Sequence, residues 1–271
     1  MLKMEKEYRG IYDVNLWHGV SNTDSGLSVN DEDLLKYVSF LKNKSDDVKL
    51  FISSRLSYNY DPVDGDNLLA RLIKDDESLS GVMIFPNYFI SREDKFENYL
   101  IERLKEGFKL VRFYKAHKYE MKPWALNRIY TALAKFNFPA VITLDDIDIT
   151  GNKAIEWDLI YEIASQFKNM PIILDGGNSK EMMYSGYIFK LLENCNNIFI
   201  ETHNLLALNQ IEDIVEKFGS GRLILGSYYP EYPNYLSLER IKFARISDED
   251  KDNIYYLNLK NIVKKIRYEK Q

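Results

Sequence analysis

The side chains best suited to acid–base chemistry are a glutamate and a histidine two residues apart, Glu201 and His203. They follow a short apolar run, Ile198–Ile200, which is typical of a buried strand. Residues two apart on an extended strand point to the same face, so both side chains can reach one pocket. A carboxylate beside an imidazole holds its tautomer and raises its pKa, which makes the pair a candidate acid–base group.

The segment from Asn197 to Pro230 indicates which elements position this pair. The first apolar run is followed by apolar positions at helical spacing, and then by a second strand-like run, Leu223–Leu225. Parallel strands need a crossover of this length, and ligands bind at the carboxyl ends of such strands. We therefore expect four polar residues on one rim: Glu201, His203, Ser227 and Tyr228.

The same alternation of short apolar runs and amphipathic helices extends along the whole chain. The predicted strands are Ile11–Trp17, Val48–Ile52, Gly81–Phe85, Lys109–Tyr114, Pro139–Leu144, Pro171–Leu174, Ile198–Ile200 and Leu223–Leu225. Helices lie between them, and a final helix starts at Ser247. Eight strands alternating with helices predict an α/β fold, a (β/α)8 TIM barrel, over residues 1–271 as a single domain with a C-terminal helix.

Composition excludes several classes of function. The chain has 271 residues, 45% of them hydrophobic, and a net charge of −5 without basic clusters, so a nucleic-acid surface is not expected. Cys195 is the only cysteine, which excludes an intrachain disulfide and a multi-cysteine metal site. No run approaches the roughly 18 apolar residues of a membrane helix. No apolar signal region precedes the fold, and we expect a cytoplasmic protein without a membrane partner.

Three stretches carry a resemblance to a known family. The segment Asn197–Pro230 reads as a strand ending in E-T-x, a helix and then R-L-x-x-G-S-x-Y-P. With it, the chain resembles the amidohydrolase-related family of metal-dependent hydrolases and decarboxylases, which are TIM barrels. Asp13–Trp17 is similar to the family's strand-one pattern D-x-H-x-H, and Pro171–Gly177 is similar to P-x-x-L-D-H-x-G. The resemblance covers nearly the whole chain and implies a barrel with a metal-dependent activity.

The residues at the family's metal-binding positions differ from the expected ligands. Asn15 and Trp17 stand at the two strand-one histidines, and Thr143 is at or next to the strand-five ligand. Gly176 replaces the strand-six histidine, and Tyr228 replaces the strand-eight aspartate. Neither Trp nor Gly offers a side-chain ligand, so we predict no metal and no other cofactor.

The three histidines leave an alternative open. His18, His117 and His203 follow predicted strands one, four and seven, and with Asp175 and Glu201 they could form a relocated metal site. The simpler interpretation, which we favour, is that they are loop histidines.

Other candidates also have two interpretations. Asp13 is either an acid–base group or an acceptor of backbone hydrogen bonds, and Asp175 is either catalytic or a turn former before two glycines. Lys109 and Arg112 have opposite parity on one strand, so one of them faces inward, where a cation suits a carboxylate-bearing ligand. Aromatic residues near the strand ends, Trp17 and Tyr228 among them, either stack on a ligand or pack the loops.

These observations predict a hydrolase or lyase that acts on a small carboxylated or cyclic compound by acid–base chemistry. The candidate catalytic residues are Asp13, Asp175, Glu201 and His203. The candidate substrate-binding residues are Asn15, Trp17, Arg112, His117, Thr143 and Tyr228. The alternative is a catalytically inactive barrel that binds a small ligand or a protein partner, because a fold does not fix a function. A homo-oligomer is compatible with either.

Overall fold

The structure is a computed structural model, which describes residues 6–20, 27–113, 120–144, 155–177, 186–233 and 235–267. It contains one parallel sheet whose eight strands follow one another in chain order. The strands are β1 (Ile11–His18), β2 (Val48–Ser54), β3 (Leu79–Ile84), β4 (Phe108–Phe113), β5 (Ala140–Thr143), β6 (Ile172–Asp175), β7 (Ile198–Glu201) and β8 (Leu223–Ile224). All eight lie within one or two residues of their predicted positions, and the fold prediction is confirmed.

The first and last strands close the sheet into a barrel. The Val14 amide donates to the Leu225 carbonyl at 3.1 Å, and the Trp17 amide donates to the Tyr229 carbonyl at 2.9 Å. Leu16 and Tyr229 form a parallel bridge at the same seam. The polar groups of both edge strands are therefore paired here, as barrel closure requires.

Helices surround the barrel, and the sequence signals at their starts are mostly recognisable. In chain order they are Asp31–Lys44, Arg55–Asn59, Pro62–Ile73, Phe96–Lys105, Pro123–Lys135, Trp157–Gln166, Gly186–Asn194, Gln210–Phe218, Leu236–Phe243, Asp248–Asp252 and Asn258–Lys264, with a π-helical turn over Asn253–Leu257. Asn30 and Ser247 cap their helices in reciprocal capping boxes. The helix Phe96–Lys105 begins without a side-chain cap, and the Ser91 hydroxyl before it donates to the Tyr88 carbonyl at 3.0 Å.

Two apolar layers hold the barrel together. Outward-facing strand residues pack against the helices in a large outer cluster. Inward-facing residues form a smaller inner cluster: Val14, Phe51, Val82, Leu110, Val141, Ile173 and Ile224, with Leu259 and Ile262 from the final helix. That helix covers the amino-terminal end of the barrel, because Lys260 bonds Asp47, directly before β2, at 2.7 Å. The opposite end is left for a site, as in TIM barrels generally.

A β-bulge in β1 changes which of its residues face inward. Asp13 pairs with Leu50, whereas Leu16 pairs with Ile52, so β1 holds one extra residue at this point. Val14 therefore belongs to the inner cluster, and its neighbour Asp13 points away from it. Simple alternation along β1 predicts that Asp13 and Asn15 share a face, and this prediction is wrong because the bulge interrupts the alternation.

No helix among these described ranges is both long and apolar enough to cross a membrane.

Candidate active site

Polar residues form the next inward-facing level above the inner cluster. Side chains alternate along a strand, so in β2, β4, β5 and β6 the residue two beyond each inner-cluster member faces the same way. In β1, where the bulge interrupts the alternation, Asn15 and Trp17 are placed on this level by their contacts with Arg112. We call the following set the polar layer: Asn15 and Trp17 of β1, Ser53 of β2, Arg112 of β4, Thr143 of β5, Asp175 of β6, Glu201 of β7 and His203 directly after it. Each is 7% exposed or less. The layer lies at the carboxyl ends of the strands, where the sequence predicted a site.

Arg112 stands at the centre of the polar layer and joins three strands to β4. Its Nη1 donates to the Thr143 hydroxyl at 2.7 Å and to the Asp175 carboxylate, with which it forms a fully buried ion pair. Its Nη2 donates to Asn15 Oδ1 at 3.1 Å. The guanidinium carbon lies 4.9 Å from the centre of the Trp17 ring, in cation–π contact. Of the two cations on β4, Arg112 is therefore the one that faces inward.

Glu201 and His203 form a second buried ion pair beside the first. The Glu201 carboxylate accepts from the His203 amide at 2.9 Å and bonds Nδ1 of the imidazole. His203 Nε2 faces the Gly177 carbonyl at 2.8 Å, and Nδ1 lies 3.7 Å from Asp175. A carbonyl and a carboxylate both accept hydrogen bonds, so both ring nitrogens must carry protons. His203 is therefore an imidazolium ion in this arrangement.

The electrostatics of the layer agree with that assignment. Burial alone would lower the pKa of His203, but the charge and hydrogen bond of Glu201 and the charge of Asp175 outweigh it and raise the pKa to about 9. Burial would raise the pKa of Asp175, but the charges of Arg112 and His203 hold it below its ordinary value. At neutral pH the layer therefore contains a cationic imidazole that can give up a proton and an anionic carboxylate next to it.

Four buried polar atoms of the layer have no hydrogen-bond partner among the residues that the structure describes. They are Asn15 Nδ2, Trp17 Nε1, Ser53 Oγ and Arg112 Nε. Trp17 and Ser53 are paired neighbours on β1 and β2, and Arg112 contacts both Asn15 and Trp17. All four groups can donate a hydrogen bond, and leaving them unpaired would cost roughly 1–3 kcal/mol each. The arrangement suits a ligand that brings acceptor oxygens.

The chain around the Glu201–His203 pair is shaped to hold it. A Cβ atom at Gly226 would overlap the Glu201 carboxylate, so only glycine leaves room for that side chain. Tyr228 has a left-handed backbone, with φ at 56°, and its ring stacks on His203 at 4.5 Å between centroids and 14° between planes. The Arg240 guanidinium donates to the His203 carbonyl at 2.6 Å. The pair is therefore fixed on several sides.

Two of the predicted site residues lie away from the polar layer, and a third cannot be placed. Asp13 accepts from the Ser227 amide at 2.9 Å and the Tyr37 hydroxyl at 3.4 Å, on the far side of β1. Burial raises the pKa of Asp13 to about 6, although hydrogen bonds from Ser227 and Asn15 oppose this. His18 pairs with Asp31 at 2.9 Å near the surface, and His117 lies outside the described residues.

One group of side chains could in principle bind a metal ion. Ligand atoms of Asp175, Glu201 and His203 all lie within 4.8 Å of one another, and no other such group occurs in the described ranges. His18 is not part of it, so a relocated site built from several histidines receives no support there.

Sequence reasoning missed some members of the site. Ser53 was assigned only to a strand exit, although its position two residues after the buried Phe51 could have identified it as inward-facing. Asn204 donates to the Gly177 carbonyl at 2.7 Å, and the Tyr232 hydroxyl donates to Asn204 at 3.1 Å. These bonds help to fix the carbonyl that faces His203 Nε2. No periodicity signals these two, because both lie in loops.

Comparison with known proteins places the fold among solved structures. No family model and no curated protein matches the sequence. A 2,6-dihydroxybenzoate decarboxylase in complex with 2,6-dihydroxybenzoate is similar, with a TM-score of 0.71 and 11% identity, over 94% of this chain and 99% of that one. A dihydroxybenzoic acid decarboxylase from Polaromonas sp. JS666, with bound manganese and the inhibitor 2-nitroresorcinol, has a TM-score of 0.65 and 13% identity, over 96% and 98%.

An amidohydrolase II protein is similar over 94% of this chain and all of the other, with a TM-score of 0.60 and 12% identity. Identities this low establish the fold and nothing finer. The chain is therefore a TIM barrel of the type found in amidohydrolases and in these decarboxylases.

Proposed function

We propose that this chain is an amidohydrolase-related enzyme, a hydrolase or lyase that acts on a small carboxylated or cyclic compound by acid–base chemistry, without the family's usual metal centre. One observation carries the proposal: a buried imidazolium, His203, has two carboxylates near its Nδ1 and belongs to the same buried layer as four unpaired donors. Perturbed titratable groups and unpaired polar atoms that converge at a barrel mouth are typical of active sites.

The similar structures support the class of ligand. A protein of the same fold is seen with 2,6-dihydroxybenzoate, and another with 2-nitroresorcinol, both of which are small substituted aromatic rings. The polar layer offers the groups that such a ligand needs, since Arg112 can bind a carboxylate and the Trp17 indole can pack against a ring.

The residues present do not fit the divalent metal that the fold family implies. Among the residues that the structure describes, only Asp175, Glu201 and His203 offer ligand atoms close together, and each is already engaged. Nδ1 of His203 bonds Glu201 and Nε2 faces the Gly177 carbonyl, so both ring nitrogens are directed at protein groups. Asp175 is held by the Arg112 guanidinium, so a metal ion would have to displace an existing cation.

The chemistry we propose therefore uses the chain's own groups. The unpaired donors around Arg112 would bind the substrate carboxylate and orient the molecule. His203 would then transfer the Nε2 proton, which must leave its hydrogen bond with the Gly177 carbonyl, to the reacting carbon as the carbon–carboxylate bond breaks, or to the leaving atom as water adds in its place. The imidazole that remains would be neutral, with its second proton still on Nδ1 and hydrogen-bonded to Glu201. Before the transfer, the negative charge of Asp175 would help to stabilise the imidazolium form.

A substrate screen with matched histidine variants tests this function. We would incubate the protein with small aromatic and cyclic carboxylic acids and follow substrate loss by chromatography. His203→Asn should lower turnover by at least about 100-fold, the usual contribution of a positioned acid. His18→Asn, at the surface beside Asp31, should leave turnover unchanged. Turnover that survives in His203→Asn would refute the catalytic assignment.

The second candidate is a barrel that binds a small ligand without catalysis. It is favoured by the complete burial of the ion pairs, because Arg112, Glu201 and His203 are 0% exposed and bonded to neighbours in the same layer. In that case no acid of the screen would be consumed, while binding of benzoate by calorimetry would be equal in the wild type and His203→Asn.

A further inference from the structure

We infer that the guanidinium group of Arg112 takes the place of the divalent metal ion in this barrel, as a permanent cation that pairs with Asp175 and offers an oxyanion site to the ligand. The oxyanion part rests on the proposed function, whereas the replacement of the metal does not.

The position of Arg112 supports this inference. Its guanidinium bonds Asn15 and Thr143, and the guanidinium carbon lies 4.9 Å from the centre of the Trp17 ring. By the family resemblance, Asn15 and Trp17 stand at the strand-one ligand positions, and Thr143 is at or next to the strand-five ligand position. Arg112 from β4 therefore contacts three of the altered positions at once. The three groups at these positions, an amide oxygen, a hydroxyl and an aromatic face, each interact favourably with a guanidinium.

The charge of Arg112 also opposes a further cation at Asp175. The guanidinium is permanently charged and forms a fully buried ion pair with the Asp175 carboxylate. Both side chains are 1% exposed or less. A divalent ion bound to Asp175 would bring a second cation against the guanidinium in this buried space, which is strongly unfavourable.

The free donors around the guanidinium define what the cation would bind. Arg112 uses both terminal nitrogens within the protein, and its Nε is unpaired. The indole of Trp17, the amide nitrogen of Asn15 and the hydroxyl of Ser53 are unpaired as well. A charged donor with several neutral donors and no free carboxylate favours a planar monoanion such as a carboxylate. The same ligand group would bind to a metal ion in a barrel that held one.

The metal part is tested on the wild-type protein. Elemental analysis after purification without chelator, and thermal unfolding with added manganese or zinc chloride, should show no stoichiometric metal and no rise in Tm. Roughly one equivalent of tightly bound metal per chain, lost in Asp175→Asn, would overturn the inference. These measurements do not depend on turnover, so they stand or fall separately from the proposed function.

The cation part is tested by removing and restoring the guanidinium. Arg112→Ala should lower the Tm, and methylguanidinium at a non-denaturing concentration should restore part of the loss, whereas the wild type gains nothing. The control is Arg103→Ala, which removes another buried arginine outside the polar layer; Arg103 donates to Asn67 at 2.6 Å. It shows how much methylguanidinium changes the Tm of a variant whose missing guanidinium lay elsewhere. Equal responses of the two variants would contradict a specific cation site. If Arg112→Ala does not fold, Arg112→Lys decides, because a retained charge should keep more stability than Arg112→Met.

The oxyanion part is tested with sodium benzoate as the probe, titrated against the wild type, Arg112→Lys and Ser53→Ala. Replacing the Arg112 guanidinium by the lysine ammonium should weaken benzoate binding by about tenfold or more. Removing the Ser53 hydroxyl should weaken benzoate binding less. Benzoate affinity that is unchanged in Arg112→Lys would overturn the oxyanion site while leaving the metal result in place.

Discussion

Replacing Glu201 with glutamine should remove a specific part of the pH dependence of stability. Burial would lower the pKa of His203, but Glu201, with a smaller contribution from Asp175, raises it from its ordinary value of 6.5 to about 9. The imidazole is fully buried, so solvent screening is small. The difference between the two pKa values corresponds to about 3 kcal/mol of stability, to order of magnitude.

The sign follows from the direction of the shift. The folded chain holds the His203 proton more tightly than the unfolded chain, so this contribution is fully present below pH 6.5 and is lost as the pH rises through about 9. In the wild type, the free energy of unfolding should therefore fall across that window. In Glu201→Gln the fall should disappear, because the imidazole is left without its main anionic partner, and stability at pH 7 should drop by about 3–5 kcal/mol.

The measurement is urea unfolding at intervals from pH 6 to pH 10. Glu231→Gln is the matched control, because Glu231 also pairs with a cation, Arg55, but lies outside the polar layer. The control should keep the wild-type slope. The difference in the free energy of unfolding between the wild type and Glu201→Gln should therefore shrink as the pH rises. A difference that stays constant from pH 6 to pH 10 would refute the assignment of a charged His203.

Other variants test the packing and the ionisation of the same region. Gly226→Ala should destabilise the fold by about 1–3 kcal/mol, because its Cβ would overlap the Glu201 carboxylate, whereas Gly221→Ala meets no atom within 4 Å and should be nearly neutral in urea unfolding. Asp175→Asn should cost about 3–5 kcal/mol, because it leaves buried cations without a partner. Asp66→Asn should cost less, because the buried Asp66 carboxyl accepts from the neutral Ser57 hydroxyl at 2.6 Å, and burial raises its pKa well above its ordinary value, which favours the protonated form; equal losses in the two variants would contradict this difference.

The barrel was predictable from sequence because its signals are local. Each strand is a short apolar run with a recognisable stop. Parity along β4 predicted that one of Lys109 and Arg112 faces inward, and the two-residue spacing after β7 predicted Glu201 beside His203. The carboxyl ends of parallel strands share one rim, so the location of the polar layer followed from strand order alone. These inferences needed no knowledge of which strands touch across the barrel.

The parts that failed depend on contacts between distant segments. The bulge in β1 is visible only in its pairing with β2. Because of it, Asp13 points away from the polar layer, whereas Asn15 contacts Arg112 within the layer. The role of Arg112 as the centre of the layer needs β1, β5 and β6 to converge on β4. The sequence pattern indicates that the residues at the family's metal-binding positions differ from the expected ligands. It does not indicate which side chain contacts those positions in the folded barrel.

The final helix gives this barrel a constraint on its biosynthesis. Leu259 and Ile262 complete the inner cluster with Val14 of the first strand, and the Leu225 amide bonds the Ile254 carbonyl at 3.0 Å. A nascent chain therefore cannot complete its barrel interior until the helix Asn258–Lys264 has left the ribosome. Products of premature termination before this helix would expose that apolar interior, so the cell's proteases and chaperones would distinguish them readily from the finished protein.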